Sequence, residues 1–182
     1  VQLHQPITDA LALKGISMIA ENLEKAYENG EDREARRNMM IASTIGGMAF
    51  ISSNVGAVHA FAETVGAWFD TPHGVANSLF LPYIMEFNIP ACPERFADIA
   101  DAMGIEREES MSDEQYALKA VEYVKALNRK LNIPTIKEIK GITEERFEAI
   151  AERSANNVLS NDNARKITKE DYLELLKKAY NE

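Results

Sequence analysis

The sequence predicts an all-α protein, an array of about seven to nine helices. Three observations carry that prediction. Apolar residues recur at three- and four-residue steps through most of the chain. Polar capping residues stand immediately ahead of those runs. No stretch alternates apolar and polar residues as a half-buried strand would.

The elements follow in order. Thr8 is placed to cap a first helix, where Leu11, Ile16, Ile19, Leu23 and Ala26 share a face and Gly30 is the stop. A second helix runs from about Asp32 to Asn54, opening on the charged turn DREAR. From Met39 onward its polar residues nearly vanish, so this half is expected to be surrounded by protein, with Met39, Met40 and Met48 in the core. Gly46 and Gly47 lie in its middle and weaken the helix by about 1 kcal/mol each, so close approach of a backbone or a ligand is expected there.

The run GAVHAFAETVGAWFDTPHG, Gly56 to Gly74, comes next, followed by a helix through Phe87 that Pro82 is expected to kink. Pro93 to Met103 reads as a short amphipathic helix ending at Gly104. Ser112 caps a longer helix to Leu131, with Ala117, Ala120, Val121, Val124 and Leu127 on its apolar face; Asn132-Ile133-Pro134 ends it. Thr143 starts another helix, and Thr168 with Asp171 makes a capping-box-like start for the last. Between them SNDNAR, Ser160 to Arg165, reads as a polar loop, and Arg165 has no assigned role. With no internal repeat and no Pro-, Gly- or Ser-rich linker, residues 1–182 read as a single helical domain.

Composition narrows the partners. A formal net charge of −9 argues against nonspecific binding to nucleic acid or to an anionic membrane. Cys92 is the sole cysteine, so no intrachain disulfide forms, and a reducing, cytoplasmic setting is expected. No secretion leader is expected, and the apolar run Met39 to Ile51 is too short for a membrane span.

His59 and His73 pose the chemical question. On one straight helix they would stand about 21 Å apart and could not share an ion. Asp70-Thr71-Pro72 supplies a break, with Thr71 as the next N-cap and Pro72 as first helical residue. His73 then falls in a first turn, where the helix dipole disfavours imidazolium and leaves a neutral ring able to bind metal. The residues alone allow a second reading, two partly buried histidines hydrogen-bonded to carbonyls or carboxylates. Two ligands also fall short of the three protein ligands usual for a catalytic ion. Glu63 lies one helical turn after His59 and could be a third ligand, a partner of the ligands or a pocket residue. Asp70 is explained by the turn, Trp68 as an anchor of the corner, and His4 as a surface residue.

The segment GAVHAFAETVGAWFDTPHGVANSLFLPYIMEFN, residues 56 to 88, resembles the signature of the iron-containing (group III) alcohol dehydrogenases. Pro6 to Phe50 and the tail DNARKITKEDYLELLKKAY resemble the flanking segments of that family, so the likeness covers most of the chain. The resemblance implies the helical C-terminal domain of a dehydroquinate synthase-like, iron-containing alcohol dehydrogenase fold. It implies an enzyme interconverting alcohols with aldehydes or ketones, using NAD or NADP and a divalent ion, Fe(2+) or Zn(2+). His59 and His73 match the family's two C-terminal metal histidines, and Phe50 matches an aromatic residue of the substrate pocket.

Two departures stand out. The family's other two ligands, an Asp and a His four residues apart, have no counterpart, since no D-x-x-x-H occurs here. The nucleotide-binding N-terminal domain has none either, so the chain reads as a C-terminal half that is inactive and binds metal weakly by itself. Glu63 stands where many members carry a second histidine near substrate and nicotinamide; it is the candidate catalytic residue of this half, and cannot donate a proton when ionised. Two alternatives remain: a noncatalytic helical interaction module that forms a homodimer through the former interdomain face, and a related glycerol dehydrogenase or maleylacetate reductase.

Overall fold

A computed structural model describes all 182 residues, Val1–Glu182, and contains eight α-helices and no strand. They are α1 (Pro6–Glu28), α2 (Arg33–Ser53), α3 (Ala57–Phe69), α4 (His73–Asn88), α5 (Pro93–Ala102), α6 (Asp113–Lys130), α7 (Phe147–Ala155) and α8 (Lys169–Asn181). The predicted all-α fold and helix number are therefore observed.

Side-chain caps open α2, α6 and α8. Asp32 accepts the Ala35 N–H at 2.9 Å and opens α2. Ser112 and Gln115 bond reciprocally ahead of α6, as Thr168 and Asp171 do ahead of α8. The start of α1 differs from expectation. Pro6 is its first residue, and Thr8 sits one turn inside, where its hydroxyl donates to the Gln5 carbonyl and accepts the Gln5 N–H. Proline at the first position suits a helix start because its missing N–H has no partner to lose there.

The chain divides into two compact units. One comprises Gln2–Asn54 and Cys92–Tyr123. In it α1 and α2 form an antiparallel hairpin, with Asn38 donating to Asn22 at 3.0 Å and Gly15 facing Ala42 and Ile45. Ala35, Ala42 and Ala49 recur every seven residues and are all buried, so small side chains let the two backbones lie close. Arg95 of α5 pairs with Asp9 of α1 at 2.7 Å. Tyr116 of α6 donates its hydroxyl toward Asp101 and the Ile105 carbonyl.

Here two expectations fail. The alanine stripe fills the buried face of α2, so Met40, 74% exposed, Met48 and Ile51, 78% exposed, turn outward, while Met39 is half-buried. An added Cβ at Gly46 or Gly47 would meet nothing within 4 Å, so neither glycine marks a close approach within this chain. Hydrophobic runs identify a helix that is covered, but periodicity does not say by what.

The other unit comprises Val55–Ala91 and Val124–Glu182, with Val1. Its core is aromatic and aliphatic. Phe61 of α3 stacks on Phe80 of α4 at 4.1 Å between ring centres and meets Tyr172 of α8 edge-on at 4.6 Å. Ile84, Ile150 and Leu176 complete the layer around these rings. Buried hydroxyls tie the same helices together: Ser154 donates to Thr64, and Ser160 bonds both the Ser154 carbonyl and the Tyr172 hydroxyl. SNDNAR is thus no solvated loop. Val158–Asp162 winds into a 3-10 turn, and Ser160 and Asn163 are buried.

Candidate metal centre

The second unit carries both histidines, each in the first turn of a helix. Gly56 opens α3 without a side chain to cap it, and its carbonyl accepts from the His59 and Ala60 amides at 3.0 and 3.3 Å. Ala57, Ala60, Phe61, Ala62, Thr64 and Val65 then face the core, which fixes the rotation of α3 and leaves His59 half-buried at the rim.

The corner after α3 is sharp. Asp70 adopts the left-handed conformation, φ 50° and ψ 38°, which Asp tolerates better than most residues. A Cβ at Gly66 would stand 3.2 Å from the Thr71 carbonyl, so the glycine lets the chain fold back tightly. Pro72, rather than Thr71, is the N-cap of α4, and His73 is its first residue. The expected break is present one position later than the cap residues suggested.

That corner brings the imidazoles together. Their ring centres lie 5.3 Å apart with planes inclined at 51°. Two imidazoles sharing one ion, each nitrogen about 2.1 Å from it and spread tetrahedrally, have ring centres roughly 5 Å apart. The pair therefore fits two ligands of a common ion. No group of three or more His, Cys, Asp or Glu side chains is placed to hold a metal.

The local electrostatics favour a neutral His59 ring. Burial lowers the pKa of His59, the nearby His73 lowers it further, and Glu63 opposes both. Two helix N-termini add positive potential at the same place. Such a site has nitrogen ligands to offer, and the negative charge beside His59 comes from Glu63.

Glu63 is engaged elsewhere. It is exposed, and its Oε2 accepts from the Asn157 amide at 2.7 Å, while Asn157 Oδ1 caps the 3-10 turn at Leu159. Phe50, 52% exposed, lies on α2 in the other unit. Trp68 is exposed beside the Arg153 guanidinium at 5.3 Å, so it does not anchor the corner from within. His4 lies at the surface, 3.4 Å from Asp9. Arg165 donates to the Phe87 carbonyl and lies over the Phe87 ring.

Asn77 is the neighbour that the sequence reading passed over. Its amide nitrogen lies 3.1 Å from His73 Nε2 and 2.9 Å from the His73 carbonyl. An amide nitrogen only donates, so Nε2 accepts in this arrangement and its single lone pair is taken up by Asn77. The spacing from His73 to Asn77, one helical turn within PHGVAN, was the available signal. Asn77 Oδ1 and Thr71 Oγ1 are buried without a hydrogen-bond partner, so the polar corner is not fully satisfied by this chain's own side chains.

The family model described as "Fe-containing alcohol dehydrogenase family, C-terminal" matches residues 2–180. Alcohol dehydrogenase 4 of Saccharomyces cerevisiae is 40% identical over 178 residues, 96% of this chain and 44% of that protein. The NADPH-dependent butanol dehydrogenase of Clostridium saccharobutylicum is 36% identical over 182 residues, 98% of this chain and 46% of that protein. Among solved structures, 1,3-propanediol oxidoreductase superposes with a TM-score of 0.93 at 36% identity, over 98% of this chain and 46% of that one. The chain thus spans a little under half the length of the relatives it matches.

Proposed function

The chain belongs to the Fe-containing alcohol dehydrogenase family and corresponds to its C-terminal part, and on that premise we propose that it supplies metal and substrate contacts to a nicotinamide-dependent alcohol dehydrogenase. The observation that carries the reading is the His59–His73 pair, two imidazoles 5.3 Å apart on two helix first turns. Residues 1–182 act in it as one metal-binding domain. His59 and His73 are the ligands from this half, and an ion at His73 Nε2 would take the lone pair that the Asn77 amide now occupies. An iron or zinc ion, when bound, supplies Lewis acidity toward an alcohol or carbonyl oxygen. Small alcohols and their aldehydes or ketones are the substrate class, and the nicotinamide is held by the N-terminal domain of the joined enzyme.

The remaining residues shape the surroundings. Glu63 presents a carboxylate one turn from His59, fixed by Asn157, and adds negative charge beside the His59 ring. As an acceptor it orients donors, such as a substrate hydroxyl, and gives no proton when ionised. Phe50, exposed on α2, is the position that matches the family's substrate-pocket aromatic residue. With two ligands and no nucleotide-binding loop, the 182-residue chain alone has no dehydrogenase activity and binds a divalent ion weakly.

Fusion to the N-terminal half of a relative tests this reading. Behind the N-terminal half of 1,3-propanediol oxidoreductase, the chain should oxidise a small alcohol with NAD(P)+, and H59A or H73A should abolish the reaction. A folded fusion that stays inactive, or one whose activity survives H59A, contradicts the assignment.

One observation favours a second reading. Met40, Met48, Phe50 and Ile51 leave apolar surface uncovered on α2, as an interaction module would. A chain that stays monomeric at high concentration counts against self-association through that face.

A further inference from the structure

We propose that Asn163 is a positioning residue for His59, acting as a remote cap on the helix that carries it. The proposal rests on the reading of His59 as a metal ligand, but its structural content stands on this unit alone. α3 opens on Gly56, which has no side chain to satisfy the first helical N–H groups. Asn163, more than a hundred residues later, takes that place: its Oδ1 lies 3.4 Å from the Ala57 amide, a long contact, and receives Asn88 Nδ2 at 3.1 Å. Its own Nδ2 donates to Asn88 Oδ1 at 2.7 Å and to the Arg165 carbonyl at 2.8 Å.

Every hydrogen-bonding position of the Asn163 amide is therefore used, in a side chain only 3% exposed. Buried amides in such closed pairs define one geometry, because any rotation strands a donor or an acceptor. The contact with α3 is also steric. A Cβ at Gly56 would stand 3.1 Å from Asn163 Oδ1 and 3.3 Å from its Cα, so glycine is what admits the clasp. His59 is the third residue of α3, within the turn that this contact closes. Fraying of that turn would move His59 relative to His73, whose position depends on the separate corner at Asp70.

The test uses the 182-residue chain without metal and reads two local quantities. They are the hydrogen-exchange rates of the His59 and Ala60 amides and the nuclear Overhauser effect between the His59 and His73 rings. Asn163→Ala is compared with Ser154→Ala, which removes a buried hydroxyl from the same unit without touching Gly56. Asn163→Ala should speed exchange at His59 and Ala60 at least tenfold beyond the Ser154→Ala change and should weaken the ring-to-ring effect. Equal exchange in the two variants, or an undiminished ring-to-ring effect, overturns the proposal. If Asn163→Ala does not fold, Gly56→Ala displaces the same contact and is judged by the same two outcomes. Cobalt(II) added to the unsubstituted chain separates this claim from the functional reading. Histidine signals indifferent to cobalt sink the metal assignment, while the exchange comparison still decides the role of Asn163.

Discussion

Phe61→Ala should damage both stability and the metal pair, and the structure sets the size of the effect. Phe61 is fully buried, stacks on Phe80 at 4.1 Å and 11°, and meets Tyr172 edge-on at 4.6 Å. Truncating a buried Phe to Ala destabilises by about 3–5 kcal/mol through lost transfer energy and the cavity left behind. Each well-placed ring pair adds about 0.5–1.5 kcal/mol, so the upper half of that range applies here. At about 2–4 °C per kcal/mol for a chain of this size, the midpoint of thermal unfolding should fall by roughly 8–20 °C. Urea unfolding followed by circular dichroism measures the free energy, and a cycle with Phe80→Ala should return a coupling of about 1 kcal/mol. Because the stack joins α3 to α4, Phe61→Ala should also weaken the ring-to-ring contact of His59 and His73. A loss below about 1.5 kcal/mol, or a cycle with no coupling, would refute the idea that this stack organises the unit.

Other consequences are simpler to state. Burial pushes the Tyr172 hydroxyl up to about 12, as it does Tyr116, so the neutral phenols stabilise the fold. A raised tyrosine pKa contributes stability fully present below about pH 10 and lost as pH rises toward 12, about 3 kcal/mol for Tyr172; denaturation midpoints across that window should fall, and a flat profile contradicts it. Thr168→Ala removes the capping box of α8 and should destabilise by about 1 kcal/mol in urea melts. Asp70→Gly relieves a left-handed residue at φ 50° and should be neutral or stabilising by up to about 1 kcal/mol, whereas Asp70→Val should destabilise clearly.

What could be read from the sequence was what local chemistry decides. Asp32, Ser112 and Thr168 open helices because their side-chain oxygens accept N–H groups within three residues. The Asp70–Pro72 break was legible because proline suits a helix start, although Thr71 caps nothing, and with the break came the meeting of His59 and His73. What was missed depends on partners distant in sequence. The Met-rich half of α2 carries the pattern of a covered helix, yet its alanines take the buried face and Met40 and Met48 face outward. SNDNAR has the composition of a solvated loop, but Asn163 meets Asn88 seventy-five positions away and their amides satisfy each other in the core. Spacing left Glu63 open as a third ligand, a partner of the ligands or a pocket residue, and its bond to Asn157, ninety-four positions on, has no local signal.

The central claim is that His59 and His73 are joint ligands of one ion. Nuclear magnetic resonance of the 182-residue chain titrated with cobalt(II) tests it directly, with His4 as the internal control. The ring signals of His59 and His73 should shift together along one weak binding curve while those of His4 stay put, and H73A should abolish the shift at His59. Independent curves for the two rings, or a His59 response that survives H73A, would contradict the claim.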